Sequence, residues 1–363
     1  MARTLEEIAT LAGVSRSTVS RVVNDSPVVD AATRERVQRV ILEQNYHPNS
    51  AGRALASRRS QIIGLLIPQQ MGAVFSDPYF PTLIQGISAA VQEHGFWLSL
   101  SFLTEECEET FRRTIRGRHL DGAVIATALA QDPFVQRLEE EQFPFVLIGR
   151  SPNPLIATTI DADNARGAEM AVQHLVRLGH TRIATITGPL RMTAAMDRRD
   201  GYLGAIRAAG LALPEHYIQE GDWTEASGHQ AMSALLRCIP RPEAVFSASD
   251  AMAIGALKAL RSAGARVPED MAVVGFDDVP MASAVDPPLT TIRQPIGRLG
   301  YTAAVLLLDQ LIAPTAARSS EGQHIVLPTE LIIRESCGQA RRYAPERLPP
   351  LHPFLPTGGA AAG

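Results

Sequence analysis

The chain has 363 residues, 45% of them hydrophobic and 20% charged, with a net charge of −4. That is enough apolar material for a large core and a small appended domain, and no run approaches the roughly eighteen apolar residues of a membrane span. The overall charge argues against nucleic acid, but it divides unevenly: residues 1–60 hold nine arginines and six acids, and the rest holds 25 basic and 32 acidic residues. A positive head on a negative body favours one docking pose on phosphate.

The first elements are short helices. In TLEEIATLAGVSRSTVSRVVN, residues 4–24, Thr4 caps a helix and Glu7 closes a capping box with it. Leu5, Ile8 and Ala9 recur at helical spacing, Gly13 makes a turn, and Ser15 caps a second helix. At about 100° per residue, Val19, Val22 and Val23 share one side of that helix, and Arg16, Ser17, Ser20 and Arg21 share the other. This is a helix-turn-helix with donors aimed outward, and an arginine fork suits a guanine edge. A third helix runs from Asp30 to Gln44, with Val37, Val40 and Ile41 inside, and Tyr46-His47-Pro48 stops it. NSAGRALAS follows, a helix too short to stand alone in water, with Leu55 as its one large apolar residue.

AGVSRSTVSRVVN, TRERVQRVILEQNYHPN and RALAS together resemble the DNA-binding head and hinge of the LacI/GalR family of bacterial transcription regulators, and the similarity continues to about Glu335. The resemblance implies base readers at Arg16, Ser17 and Arg21. It implies backbone contacts at Ser15, Thr18, Ser20, Asn24, Tyr46 and Asn49, and a minor-groove wedge at Leu55. Gly52 departs from the alanine common in the family, at a cost of about 1 kcal/mol in a helix.

Beyond residue 60 the chain alternates apolar runs with helical patterns. QIIGLLIP, FWLSLSFL, DGAVIAT, FPFVLIG, TRIATIT, EAVFSAS and MAVVGFDD read as buried parallel strands. Helical patterns begin near Phe80, Glu108, Asp132, Asn164, Arg198, Thr224 and Asp250. The expected fold is α/β: a two-lobed, doubly wound parallel-sheet core of the periplasmic-binding-protein type, behind an all-α helix-turn-helix domain. LTTIRQP and HIVLPTELIIRE look like strands crossing between the lobes. The expected limits are 1–47 for the head, 48–60 for the hinge, 61–337 for the core and 338–363 for a disordered tail. Within the core, lobe one takes about 61–161 and 291–323, and lobe two about 162–290 and 324–337.

Ligands of such folds sit beyond the carboxyl ends of the strands. Asp77, Phe80, Arg198, Trp223, Ser249 and Asp277 fall there. They supply carboxylates, a guanidinium and aromatic faces, as a sugar requires, and the same positions resemble the family's effector contacts. Two departures from the family pattern are visible: Gly149 stands where some sugar-responsive members carry an acid, and Met192 stands where purine-responsive members place a basic contact, so the resemblance implies a mono- or disaccharide rather than a purine.

No nucleophile elbow, Walker loop or dinucleotide fingerprint is present, so neither an enzyme nor a cofactor is expected. Cys107, Cys238 and Cys337 form no metal or disulfide pattern. The tail lacks the leucine heptads of a tetramer, so a homodimer is the expected unit, on double-stranded operator DNA, in the cytoplasm, with no membrane contact. The alternative is a sugar-binding module without a DNA role.

Overall fold

The computed structural model describes residues 3–23, 26–46, 59–67, 77–102, 115–117, 119–127, 133–151, 157–312 and 322–338. The expected hinge helix with Leu55, Asn24, Asn49, the helical pattern at Glu108, Cys107 and the tail beyond 338 lie outside them.

The head is three helices, α1 (Leu5–Ala12), α2 (Arg16–Val23) and α3 (Ala31–Glu43). The capping box is closed in both directions: Thr4 N–H donates to Glu7 Oε2 at 2.9 Å, and Glu7 N–H to Thr4 Oγ1 at 3.3 Å. Gly13 ends α1 at φ +63°, a turn that suits glycine. Ser15 Oγ accepts the Thr18 N–H at 3.1 Å, and Asp30 caps α3 through the Thr33 N–H at 2.9 Å. Ile8, Val19, Val22, Val37 and Tyr46 close a small core.

The body has two six-stranded sheets. The first contains β1 (Ile62–Ile67), β2 (Trp97–Phe102), β3 (Gly122–Ala126), β4 (Phe145–Ile148), β5 (Thr158–Ala162) and β11 (His324–Leu327), in the order β11-β5-β4-β3-β1-β2, all parallel. The second contains β6 (Ile183–Thr187), β7 (Ile218–Glu220), β8 (Ala244–Ser247), β9 (Ala272–Asp277), β10 (Thr290–Arg293) and β12 (Glu330–Ile332), in the order β12-β10-β9-β8-β6-β7. Its one antiparallel pairing is β10 with β12. Apolar clusters cover both faces of each sheet, which is why most strands read as continuous apolar runs.

The helices of the first lobe are α4 (Tyr79–Glu93), α5 (Pro133–Glu140) and α11 (Ile296–Ile312). Those of the second are α6 (Asn164–Arg177), α7 (Thr193–Ala208), α8 (Glu225–Leu235), α9 (Asp250–Ser262) and the short α10 (Pro280–Ala284). In the first lobe α4 and α11 lie backbone to backbone, and a Cβ on Gly86 would sit 2.0 Å from the Gly297 carbonyl oxygen.

The chain changes lobe three times, and two changes differ from the expected limits. Thr290–Arg293, divided between the lobes in the sequence reading, pairs with β9 and belongs to the second; the chain leaves it through Gln294-Pro295. His324–Leu327, expected in lobe two, pairs in register with β5 and belongs to the first. The apolar run 324–335 is therefore two strands of different sheets, divided at Pro328-Thr329, where proline cannot donate to a ladder. The third change lies between Ala162 and Asn164. Helix α7 also starts at Thr193, five residues before the expected Arg198, which puts Arg198 on its buried side.

Candidate effector cleft and nucleic-acid interface

Strand ends from both sheets meet over one cavity. All six expected residues line it: Asp77 and Phe80 from the first lobe, Arg198, Trp223, Ser249 and Asp277 from the second. Tyr79, Thr127, Ile148, Gly149, Asp161, Asn164, Met192, Thr193, Ala194 and Gln294 join them.

Arg198 organises the second lobe's wall. Its Nε donates to Asn164 Oδ1 at 2.8 Å, and its Nη1 to the Ala248 carbonyl at 2.5 Å and Asp277 Oδ1 at 3.3 Å. The guanidinium lies 3.7 Å from the centroid of the Phe276 ring and 5.5 Å from that of Trp223. Aromatic faces stabilise a cation that has little water left around it. Gln294 donates to Asp277 Oδ1 at 2.6 Å. Asn164, beside the first crossover, also donates to Asp161 Oδ1 at 2.8 Å, so one polar chain links β5 of lobe one to the floor of lobe two.

Three of these carboxyls are held above their ordinary value, chiefly by burial. Asp161 is raised to about 7, and Asp277 to about 7 against the pull of Arg198; Asp77 is raised too. Behind them Asp250 is fully buried and accepts from Thr291 Oγ1 at 2.5 Å and the Val279 N–H at 3.0 Å. Burial and the neighbouring Asp277 push it up as well. Ser249, at the same turn, caps α9 through the Met252 N–H at 3.2 Å.

Backbone strain gathers at the same place. Trp223 (φ +72°), Asp277 (φ +119°) and Asp278 (φ +58°) lie in the left-handed half of φ space, a cost that surrounding structure must hold in place. The Trp223 ring packs against Gly188, where a Cβ would approach Cζ2 to 2.2 Å. Its Nε1 donates to Met192 Sδ at 3.0 Å. The hydroxyls of Thr127, from lobe one, and Thr193, from lobe two, are buried with no hydrogen-bond partner among the described residues, and a buried hydroxyl is costly unless something bonds to it.

Sequence reasoning missed Asp161, Asn164, Thr127, Thr193 and Gln294. Asp161 had a readable signal: a lone acid near the end of the short run TTIDA. Thr127 had none.

The head presents a separate face. Ser15, Arg16, Ser17 and Arg21 are exposed, with Thr18 and Ser20 half-buried beside them. Ser15 Oγ lies 2.8 Å from both the Ser17 and Thr18 hydroxyls. Arg16 Nε pairs with Glu6 Oε1 at 3.0 Å on the surface. Tyr46, expected at the DNA backbone, has 6% exposure and packs in the head's core, so its ring serves packing first. Among the described residues, no helix is long and apolar enough to cross a membrane.

Residues 4–49 match the family described as bacterial regulatory proteins, lacI family, and residues 172–337 match the periplasmic binding protein-like domain. The chain is 41% identical over 337 residues to the HTH-type transcriptional regulator CelR of Thermobifida fusca, covering 92% of this chain and 98% of that one. It is 37% identical over 316 residues to the ribose operon repressor of Escherichia coli K12, covering 86% and 94%. Among solved structures, the CelR–cellobiose complex matches with a TM-score of 0.72 and 39% identity, covering 92% and 99% of the two chains. The lac repressor dimer bound to operator and the anti-inducer ONPF matches with a TM-score of 0.80 and 30% identity, covering 93% and 99%. With a three-helix head, a two-lobed body and relatives matched along nearly their whole length, this chain belongs to the LacI family of bacterial regulatory proteins, DNA-binding regulators and not enzymes.

Proposed function

We propose that this protein is a cytoplasmic transcriptional repressor that holds a near-palindromic operator as a homodimer and changes its hold when a small sugar closes the cleft. Arg16, Ser17 and Arg21 read base edges, Ser15, Thr18, Ser20, Asn24 and Asn49 hold the backbone, and Leu55 wedges the centre of the site. Asp77, Phe80, Arg198, Trp223, Ser249 and Asp277, with Asp161, Thr127 and Thr193, hold the effector. The relatives' names support a sugar, since one structure is a cellobiose complex and one relative is a ribose operon repressor.

The observation that carries the reading is the pair of unpartnered buried hydroxyls, Thr127 and Thr193, on opposite walls of one cavity. A polyol can bond to both at once, and to Asp161 and Asp277 beside them, only when the lobes are together. The ligand acts by binding that arrangement better than the open one.

Gel shifts on the DNA upstream of the protein's own gene, with and without the sugar that raises the melting point most, test it. A specific shift that this sugar alters is expected. Specific DNA binding with no response to any mono- or disaccharide, cellobiose and ribose included, would remove the sugar. No specific binding would leave a sugar-binding module.

A further inference from the structure

The two lobes touch through more than the cavity wall. Arg150 follows β4 of the first lobe, next to the cavity residue Gly149, and Asp197 lies on α7 of the second, next to the cavity residue Arg198. Arg150 Nη2 donates to Asp197 Oδ1 at 2.9 Å and Nε to Oδ2 at 3.3 Å, a two-pronged carboxylate–guanidinium pair. Their side chains are 46% and 20% exposed, so the pair sits at the rim of the cleft. Each of the other ion pairs between described residues joins groups within one lobe or within the head. Asp197 also acts across the cleft on Asp161 of lobe one, whose carboxyl its charge helps to raise.

We propose that Arg150 and Asp197 are the latch of the cleft: an ion pair that exists when the lobes are closed and is severed when they part. It touches closure and not the operator, and it sets how much of the protein is closed before any ligand arrives. A ligand that binds the closed form then inherits that bias. A half-exposed pair is a modest device, so severing it should shift the closed-to-open ratio by about two- to fivefold. Salt screens such a pair, so raising NaCl from 50 to 500 mM should weaken it in the wild type. The latch rests on the effector reading only where ligand affinity is concerned.

Amide hydrogen exchange on the full-length, ligand-free protein decides it. The readout is protection of residues 145–150 and 193–200. Arg150→Gln and Asp197→Asn should each lower protection there and abolish its salt dependence. The two together should lower it no further than either alone. The exchanged pair Arg150→Asp/Asp197→Arg should restore it. Fully additive single effects, or an exchanged pair as weak as the singles, would overturn the latch. Calorimetry with cellobiose and ribose forms the second arm: affinity for whichever binds should fall by the same two- to fivefold and recover in the exchanged pair. Unchanged affinity would overturn the latch. Wild-type protein that binds no sugar while the exchange pattern holds would count against the effector reading alone.

Discussion

The guanidinium of Arg198 lies over the Phe276 ring, 3.7 Å from its centroid, while the next residue in the chain, Asp277, accepts from it at 3.3 Å. Strand β9 thus ends by offering one cation both a face and a charge. A lysine would keep the charge but lose the planar stacking and two of the three directed bonds. Arg198→Lys is expected to lower effector affinity at least tenfold, about 1.4 kcal/mol, with operator binding in the absence of effector unchanged. Titration calorimetry and a gel shift check the two halves separately.

The buried acids give the cleft a pH signature. Asp161 titrates near 7 in the folded protein, above its ordinary 3.8. The folded state therefore holds its proton more tightly than the unfolded chain does. The stability this contributes is complete below pH 3.8 and is lost as pH rises through 7. Relative to Asp161→Asn, the wild type should lose stability between about pH 4 and 7 and level off above that, by an amount on the order of a few kcal/mol. Melting temperatures of both proteins across that range check it, and a flat difference would reject it. The comparison with the variant removes His174, which burial holds below its usual value and which works in the opposite direction.

Gly86 is where α4 and α11 meet. A methyl at that position would collide with backbone, not with a movable side chain. Gly86→Ala should cost about 1–3 kcal/mol or more, because overpacking forces the helices apart. Gly204, with nothing within 4 Å of its would-be Cβ, is the control: Gly204→Ala should be neutral or slightly stabilising. Denaturant unfolding of the two variants separates a packing effect from a helix-propensity effect.

On the head, Arg21→Ala should cost about 1–3 kcal/mol and relax base preference at one operator position. An equal loss on every sequence would mark Arg21 as a phosphate contact instead. Glu6→Gln removes the partner of Arg16 and one negative charge from beside it. It should tighten binding to random duplex, measured by gel shift at low salt.

What could be read in advance follows the physics of each signal. Helix caps and turns are local, so Thr4, Glu7, Gly13, Ser15 and Asp30 were legible from the chain alone. Buried parallel strands are apolar along most of their length, so six of them could be found, while FWLSLSFL, expected to be buried as well, is the edge strand β2 with Trp97 exposed and the rest half-buried; which sheet each strand joins could not be assigned. Nothing in HIVL distinguishes a partner in one lobe from a partner in the other, and only the register with β5 decides it. The three-residue β7 was too short to stand out. At the cleft, Arg198, Trp223 and Asp277 were visible because each is a charged or aromatic residue on the segment that follows or ends a strand, the side on which such folds bind ligands. Thr127 and Thr193 were not, because a threonine announces nothing until its hydroxyl is seen to be buried without a partner.

The three lobe changes also govern how the protein is made. The first sheet opens with β1 at residue 62 but gains β11 only at 324–327, after all of β6 to β10. Helix α11, which supplies Leu299, Ala303, Leu307 and Leu308 to the core of that lobe, arrives just before β11. As the chain leaves the ribosome, the earlier lobe must therefore wait, with an apolar flank unsealed, while the later lobe is translated almost in full. Such a half-built sheet is prone to aggregate. The order of residues along the chain and the order of assembly in space differ here: the lobe begun first receives its last strand, β11, only just before the other lobe receives β12 at 330–332.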